Sequence, residues 1–400
     1  MTTSVSAWTA PGFRRLATAW VFTNLGDSAL YLMVAVWVKD LTRSDVAAAF
    51  VFVSLGIPAV LAPFLGMLAD RFSRKRLLIL ANVLMVPVVL SLWFMTDADT
   101  VWVSYVVILL YGSCGYLTAA AQSGIIRGML RDEQLASGNG ALSTIDNGLR
   151  LLSPLIGTVL YVGLGPHAVV VLTAACFAVT AVILLGLPVP DASGERGASR
   201  GYLRELVAGF EHLALVRPLR WVTLSIAIAF GATGLLNVLV FPVLDGMGAP
   251  AAALGWLVPV QGAGALVGGI LSARFVRALG EPRTAALGMG LLAIGSIPLV
   301  FGSLAVAAGG MAVMGFGIPL TVVAFATLRQ RLTPHDLQGR AAAAGNVAIN
   351  LPQTLVSILG AALIASVDYR VLVWVTVAVV AAGGMLALAA RVPRPAPAPA

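Results

Sequence analysis

Residues 66–76, GMLADRFSRKR, join two apolar runs of the chain through a short charged segment. The segment contains one acidic residue, Asp70, followed by four basic residues within six positions. The apolar runs on either side, 46–69 and 77–96, are each long enough for the roughly 20 residues that a helix needs to cross a bilayer. Basic residues collect in cytoplasmic loops beside such helices, so the segment predicts a short cytoplasmic turn in a membrane protein.

The composition of the whole chain agrees with this interpretation. Of its 400 residues, 59% are hydrophobic and 10% are charged, whereas soluble domains contain roughly 25% charged residues. The net charge of +8 comes from basic residues placed between apolar runs. They are typical of membrane orientation signals, so we expect the lipid bilayer and not nucleic acid as the partner.

The residues that usually bind metals or phosphates are sparse. Cys114 and Cys176 both fall inside apolar runs, which predicts buried thiols and neither a disulfide framework nor a metal site. Neither of the two lysines, Lys39 and Lys75, follows a glycine, so the chain lacks the GxxxxGK[ST] loop used to hydrolyse ATP. We therefore predict no cofactor and no metal.

Twelve apolar runs predict an all-α membrane protein with twelve transmembrane helices. They cover residues 15–38, 46–69, 77–96, 101–127, 139–163, 167–188, 219–244, 252–273, 284–303, 304–328, 341–366 and 371–390. With the N-terminus in the cytoplasm, 21 of the 25 basic residues fall in cytoplasmic segments, and only Lys39, Arg43 and Arg370 lie outside. Positively charged loops face the cytoplasm, which predicts a plasma-membrane protein with both termini inside.

The order of the runs predicts two halves. Residues 1–188 form an N-terminal six-helix bundle, residues 189–218 a cytoplasmic linker, residues 219–390 a second six-helix bundle, and residues 391–400 a disordered Pro/Ala tail. In the linker, YLRELVAGFEHL has apolar residues at helical spacing, which predicts a helix along the inner membrane surface.

The two halves carry matching sequence. Gly66, Arg71, Phe72 and Arg74 recur as Gly269, Arg274, Phe275 and Arg277, and Asn147 and Gly157 recur as Asn350 and Gly360. The offset is 203 residues at every match. A fixed offset at two separate places predicts an internal duplication, which is common in transporters.

The segment GMLADRFSRKR resembles the loop motif G-x-L-A-D-R-x-G-R-[RK] of the major facilitator superfamily. It matches at seven positions, and Ser73 replaces the second glycine. The opening NLGDSALYLMVAVWVKDLTRS, with PAVLAPFLGMLADR, resembles the exporter branch that includes enterobactin-exporter-like and macrolide-efflux-like proteins. The resemblance implies two six-helix bundles around a central cavity, with alternating access.

Three charged residues fall inside apolar runs, where an unpaired charge costs several kcal/mol. Asp27 lies in the middle of the first run, and Asp146 lies one helical turn before Arg150 in the fifth. Asp27 is a candidate for the carboxylate that takes up and releases a proton or binds a cationic substrate; alternatively it forms a structural hydrogen bond or a static pair with Arg150. Asp146 and Arg150 either neutralise each other or take part in the substrate site.

Scattered polar side chains in the other runs are candidates to line a largely apolar substrate cavity or to form hydrogen bonds between helices. They are Asn24, Asn147, Asn237, Gln261, Asn350 and Gln353, with Trp20 and Tyr31.

The resemblance also implies a conformational latch on the cytoplasmic side. Its residues are Gly66, Asp70, Arg71 and Arg74, with Arg127 or Arg131 and the helix starting near Arg340 as partners of Asp70. A carboxylate is stabilised at a helix N-terminus. Separately, Pro154 and Gly157 resemble a degraded form of the antiporter motif g-x-x-x-G-P-x-x-G-G, in which Ser153 and Thr158 replace glycines.

Together these features predict a monomeric secondary transporter that exports a small amphipathic compound, such as a drug, a siderophore or a secondary metabolite, in exchange for protons. An importer or a sodium-coupled carrier is an alternative within the same fold. A membrane-embedded enzyme is disfavoured because the three histidines are scattered and no HExxH, Cys cluster or nucleophile elbow occurs. A non-transporting sensor remains a further alternative.

Overall fold

The computed structural model describes residues 6–69, 72–188, 202–334 and 337–390, and helices make up nearly all of this part of the chain. The helices are α1 Phe13–Thr42, α2 Asp45–Ala69, α3 Arg74–Leu90, α4 Trp102–Met129, α5 Asp132–Leu164, α6 Pro166–Leu185, α7 Tyr202–Leu215, α8 Arg217–Val238, α9 Val240–Gly246, α10 Leu254–Leu279, α11 Glu281–Ser296, α12 Leu304–Leu332, α13 Gln338–Leu363 and α14 Tyr369–Leu388.

Within the described residues, eleven helical segments are long and apolar enough to cross a membrane. The predicted second span is α2, a helix of 25 residues, which at 1.5 Å per residue extends about 37 Å. The predicted all-α membrane fold is therefore confirmed. The ninth and tenth runs, which almost no polar residue separates, are divided by a break at 301–303 between a short 3-10 helix and α12.

The seventh predicted span, 219–244, is not one helix. The structure divides it into α8, which ends at Val238, and α9, which starts at Val240. Pro242 has no N–H to donate to the carbonyl of Val238, so an uninterrupted helix would lose a hydrogen bond at this place. The linker segment YLRELVAGFEHL is helical, as predicted, and lies within α7, which packs against α13. The tail 391–400 lies outside the described residues.

The chain forms two compact units. The first contains residues 1–199 together with 240–262, and the second contains residues 200–239 and 263–400. In the first unit, α1 packs against α5 and α6, α2 against α4, and α3 against α4 and α6. In the second unit, α8 packs against α13 and α14, α11 against α12 and α14, and α7 against α13.

The two units repeat the same helix pairing, as the duplication predicts. The pair α1–α5 corresponds to α8–α13, and the pair α1–α6 corresponds to α8–α14. In each unit a glycine lets the first of these helix pairs approach closely, and the two glycines are 203 residues apart in the sequence. A Cβ at Gly157 would lie 3.1 Å from the Ala29 side chain, and one at Gly360 would lie 2.8 Å from the Leu235 side chain. Small residues at such crossings let membrane helices pack closely.

Candidate functional site

Four polar or aromatic residues form a stripe along α1. Trp20, Asn24, Asp27 and Tyr31 are spaced by four, three and four residues, so they lie on one side of the helix. Their neighbours across the unit come from α4 and α5. The neighbouring face of α1 packs tightly on α6, since a Cβ at Gly26 would lie 3.1 Å from the Cys176 side chain.

Asp27 is half-buried, and its carboxylate forms a hydrogen bond with the Tyr111 hydroxyl of α4. The half-buried thiol of Cys114, one turn further along α4, also interacts electrostatically with Asp27. The carboxyl group of Asp27 is thus held against α4 by a neutral donor.

Asp146 of α5 is the second carboxyl group of this site. It accepts hydrogen bonds from the Trp20 indole and from the Asn24 side chain, both on α1. Asp27 and Asp146 interact electrostatically, and two like charges in a partly buried site repel each other. The structure therefore brings together the two carboxylates that the sequence places 119 residues apart.

Arg150 is solvent-accessible on α5 and acts electrostatically on both Asp146 and Tyr31. No ion pair within 4 Å joins Arg150 to Asp146 in the described part of the chain. The arginine therefore supplies positive charge to the site without a direct ion pair to Asp146.

Pro154 and Gly157 shape α5 beside these charges. Pro154 is buried inside the helix and cannot donate to the carbonyl of Arg150, so that carbonyl is available to other donors. Gly157 brings α5 close to α1, next to Ala29 and Met33. Gly157 of the antiporter-like motif thus lies at the α1–α5 contact, and Pro154 lies one turn after Arg150.

The remaining predicted cavity residues divide between the two units. In the first unit, Asn147 is exposed and donates to the Ser143 carbonyl at 2.8 Å. Gln261 lies in the part of α10 that belongs to the same unit, beside Gly262, which faces the Leu151 side chain of α5.

The second unit contains Asn237, Asn350 and Gln353. Asn237 is exposed on α8, and Asn350 donates to the carbonyl of Asn346 on its own helix at 2.9 Å. Gln353 donates to the Thr233 hydroxyl at 3.2 Å and so links α13 to α8. Two of these amides therefore already have partners within their own unit.

The predicted latch is only partly described. Asp70 and Arg71 lie outside the described residues, and Gly66 and Arg127 are placed on α2 and α4 respectively. Arg74 donates to the Gly124 carbonyl of α4 at 3.3 Å, and exposed Arg131 is the N-cap of α5. The latch stays a prediction.

Sequence reasoning missed Tyr111 and a charged cluster around Lys39. Tyr111 is a polar interruption in the apolar run VVILLYGSCGYL, and that interruption was the available signal.

Lys39 of α1 is buried and donates to Asp45 of α2 at 2.5 Å and to Asp245 of α9 at 2.6 Å. This buried lysine therefore joins α1 to both α2 and α9, and so holds the segment 240–262 against the rest of the first unit.

The sequence of this chain is similar to those of known membrane transporters. The sequence model described as Major Facilitator Superfamily matches residues 16–356. An uncharacterized MFS-type transporter of Bacillus subtilis, YfiS, is 25% identical over 363 residues, which cover 88% of this chain and 85% of that protein. The lysophospholipid transporter LplT of Citrobacter koseri is 25% identical over 209 residues, about half of each chain.

Solved structures agree on the fold. The nucleoside transporter NupG superimposes with a TM-score of 0.75 at 13% identity, over 94% of this chain and 98% of that one. A bacterial homologue of the iron transporter ferroportin, in its inward-facing state, superimposes with a TM-score of 0.72 at 17% identity, over 94% and 98% of the two chains. At these identities the likeness concerns the fold alone.

Proposed function

The chain belongs to the major facilitator superfamily, and on this premise we propose that it exports a small amphipathic molecule in exchange for protons. A transporter of this fold that is driven by an ion needs a group that responds to that ion. The carboxylates of Asp27 and Asp146 supply one, and the placement of both along the polar stripe of α1 is the observation that carries the proposal.

Proton coupling is supported by the chemistry around Asp27. When both carboxylates are ionised they repel each other, and a proton bound to one of them relieves the repulsion. Asp27 is bonded to a neutral hydroxyl rather than to a cation, so its charge can change without breaking an ion pair. Asp146, with two donors from α1, is the member whose position is fixed.

The direction of transport and the substrate class are inferred from the opening sequence and from the residues of the site. The exporter-like opening sequence favours efflux, and the site combines aromatic side chains with scattered polar groups, which suits an amphipathic molecule. The activity named for one relative, lysophospholipid transport, concerns an amphipathic substrate as well. We further propose that both termini face the cytoplasm, and that Asp70 and its arginines form the cytoplasmic latch of the alternating-access cycle.

The test uses purified protein in liposomes with an imposed pH gradient and a panel of dyes, metabolites and single-chain lipids. Asp27→Asn should abolish gradient-driven transport while downhill exchange continues. Asp99→Asn, which changes an exposed carboxylate outside the site, should transport like the unaltered protein. Full uphill transport by Asp27→Asn would refute proton coupling at this residue, and uphill transport driven by sodium instead would favour the sodium-coupled alternative.

A pair of variants tests whether Arg150 compensates the charge of Asp146 or contacts the substrate. If Arg150 only compensates Asp146, Arg150→Met should lower expression, and Asp146→Asn combined with Arg150→Met should restore both expression and transport. If Arg150 contacts the substrate, the double variant should express well and remain inactive. The accessible position of Arg150 favours the second outcome.

A further inference from the structure

The polar and the apolar exposed residues of α5 lie on opposite faces of the helix. Ser143, Asn147 and Arg150 are exposed on one face, spaced by four and three residues. Leu152 and Val159 are also exposed, and at about 3.6 residues per turn they lie on the other face. In membrane-spanning helices, ionisable groups face the interior of the bundle or a water-filled cavity. The face of α5 that carries Arg150 therefore borders water, and a dissolved ligand can reach it.

Two polar groups near this face have no hydrogen-bond partner in the described part of the chain. They are the Arg150 guanidinium, which also forms no ion pair there, and the Tyr31 hydroxyl of α1. Arg150 acts electrostatically on Tyr31, so the two groups belong to the same site. A guanidinium has five N–H donors and a tyrosine hydroxyl has one. These unused donors, together with the permanent positive charge, suit an anionic group of a ligand.

The two carboxylates of the site are bonded to neutral donors. Asp27 forms a hydrogen bond with Tyr111, and Asp146 accepts from Trp20 and Asn24. A carboxylate has about four acceptor positions, so each of the two can accept from a further donor. Neither has a cation within 4 Å among the described residues. The carboxylates therefore suit an ammonium group, which brings both a positive charge and three donors.

The opposite charges of the site are close enough for one small headgroup. Asp146 and Arg150 are four residues apart on α5, which is about 6 Å along the helix, and Asp27 acts electrostatically on Asp146. An ammonium group and an acidic group joined by a short carbon linker span a distance of this size. These three are the only charged residues well inside the predicted spans, so they determine the charge that the site selects.

The charge of the site also depends on the proton that Asp27 or Asp146 is proposed to bind. With one carboxylate protonated, one negative charge and the positive charge of Arg150 remain, and the site is neutral overall. A ligand with a single positive charge would approach Arg150 without a compensating group, and a ligand with a single negative charge would approach a carboxylate. Juxtaposed like charges are unfavourable, so a ligand that carries both charges fits best.

We propose that the transported compound is a zwitterion, whose ammonium group binds at the carboxylates of Asp27 and Asp146 and whose carboxylate or phosphate group binds Arg150 and Tyr31. This inference rests on the proposed function, because it names the substrate class of the same site. It narrows the amphipathic molecule proposed above to one with a headgroup of two opposite charges.

The experiment measures binding to the full chain in phosphatidylcholine nanodiscs, with no ion gradient. Four compounds share an octyl chain and differ in the headgroup: octylamine, octanoate, N-octyl-β-alanine and octylphosphoethanolamine. Affinity is determined from the change in tryptophan fluorescence, with empty nanodiscs as the reference for partitioning into lipid. We expect at least one of the two zwitterions to bind about tenfold or more tightly than octylamine and octanoate, the effect of one charge-assisted hydrogen bond. The zwitterion that binds more tightly identifies the acid as a carboxylate or a phosphate.

Variants test the two ends of the headgroup separately. Arg150→Gln should lower the affinity for the zwitterions to about that of octylamine, and Arg150→Lys should retain part of the preference. Asp146→Asn should weaken the binding of octylamine and of the zwitterions but not of octanoate. Arg220→Gln, which removes an exposed arginine at the start of α8, should leave all four affinities unchanged. The order of affinities in the unaltered protein tests the proposal even if Arg150→Gln does not fold.

This proposal and proton coupling fail in different experiments. Zwitterion binding combined with transport that ignores a pH gradient would refute proton coupling and leave the substrate class intact. Tighter binding of octylamine than of either zwitterion, or equal binding of all four compounds, would overturn the zwitterionic substrate whatever drives transport. A zwitterion preference that persists unchanged in Arg150→Gln would equally overturn it.

Discussion

Replacing Lys39 by methionine should destabilise the first unit by about 2–4 kcal/mol. The ammonium group lies 2.5 Å from Asp45 and 2.6 Å from Asp245. A hydrogen bond between charged groups contributes about 1.5–3 kcal/mol. We use this full range for the bond to Asp45, because that side chain is only 29% exposed and solvent screens it little. Asp245 is 51% exposed, so its share falls to about 0.5–1 kcal/mol.

The measurement is the free energy of unfolding in mixed micelles titrated with a denaturing detergent, together with hydrogen exchange of α9. Lys39→Met should lower the free energy of unfolding and raise exchange in 240–246, because the lysine no longer joins α9 to α1. Arg43→Met is the matched control. It also removes a positive charge from the end of α1, but Arg43 is exposed, so its loss should change the free energy by less than about 0.5 kcal/mol.

A triple variant distinguishes the lost attraction of Lys39 for its two carboxylates from the cost of leaving those carboxylates without their cation. Lys39→Met with Asp45→Asn and Asp245→Asn leaves no uncompensated carboxylate, so it should recover part of the lost stability. The reasoning is refuted if Lys39→Met is no less stable than Arg43→Met. It is equally refuted if the triple variant is as unstable as the single one.

Two further predictions concern helix packing and the polar site. Gly255→Ala should destabilise the protein by about 1–3 kcal/mol, because the new Cβ would overlap the Thr158 hydroxyl of α5; Gly290→Ala, where nothing lies within 4 Å, should be neutral or slightly stabilising in the same unfolding measurement. Tyr111→Phe should reduce uphill transport about tenfold or more relative to downhill exchange, because Asp27 loses a hydrogen bond of about 1.5–3 kcal/mol, and an unchanged ratio of the two fluxes would count against a role for this pair.

The sequence was sufficient for the architecture. A bilayer accepts only helices of a narrow length range whose backbone groups are bonded internally, so most of the apolar runs correspond directly to long helices among the described residues. The duplicated positions at an offset of 203, together with the loop motif at 66–76, likewise predicted both the repeat and the family.

Local chemistry explains where the boundaries departed from expectation. The run 219–244 is apolar throughout, and hydropathy alone does not divide it. Pro242 was the local signal for the break between α8 and α9, because proline removes one helical hydrogen bond donor. The break matters for the fold, since α9 then belongs to the first compact unit.

The sequence also indicated which charged residues fall inside apolar runs, but only the tertiary structure showed which partners the charged residues have. Asp27 is bonded to Tyr111, which follows it by 84 residues, and Lys39 is bonded to Asp245, which follows it by 206. In a soluble helix the polar face is the exposed face, so periodicity reveals which side packs. In a membrane helix the lipid-facing side and the packed side are both apolar, so the sequence pattern does not show how each helix is rotated. The rotation depends on how closely the helices pack at glycines such as Gly157 and Gly255, and it determines which partner each polar side chain contacts.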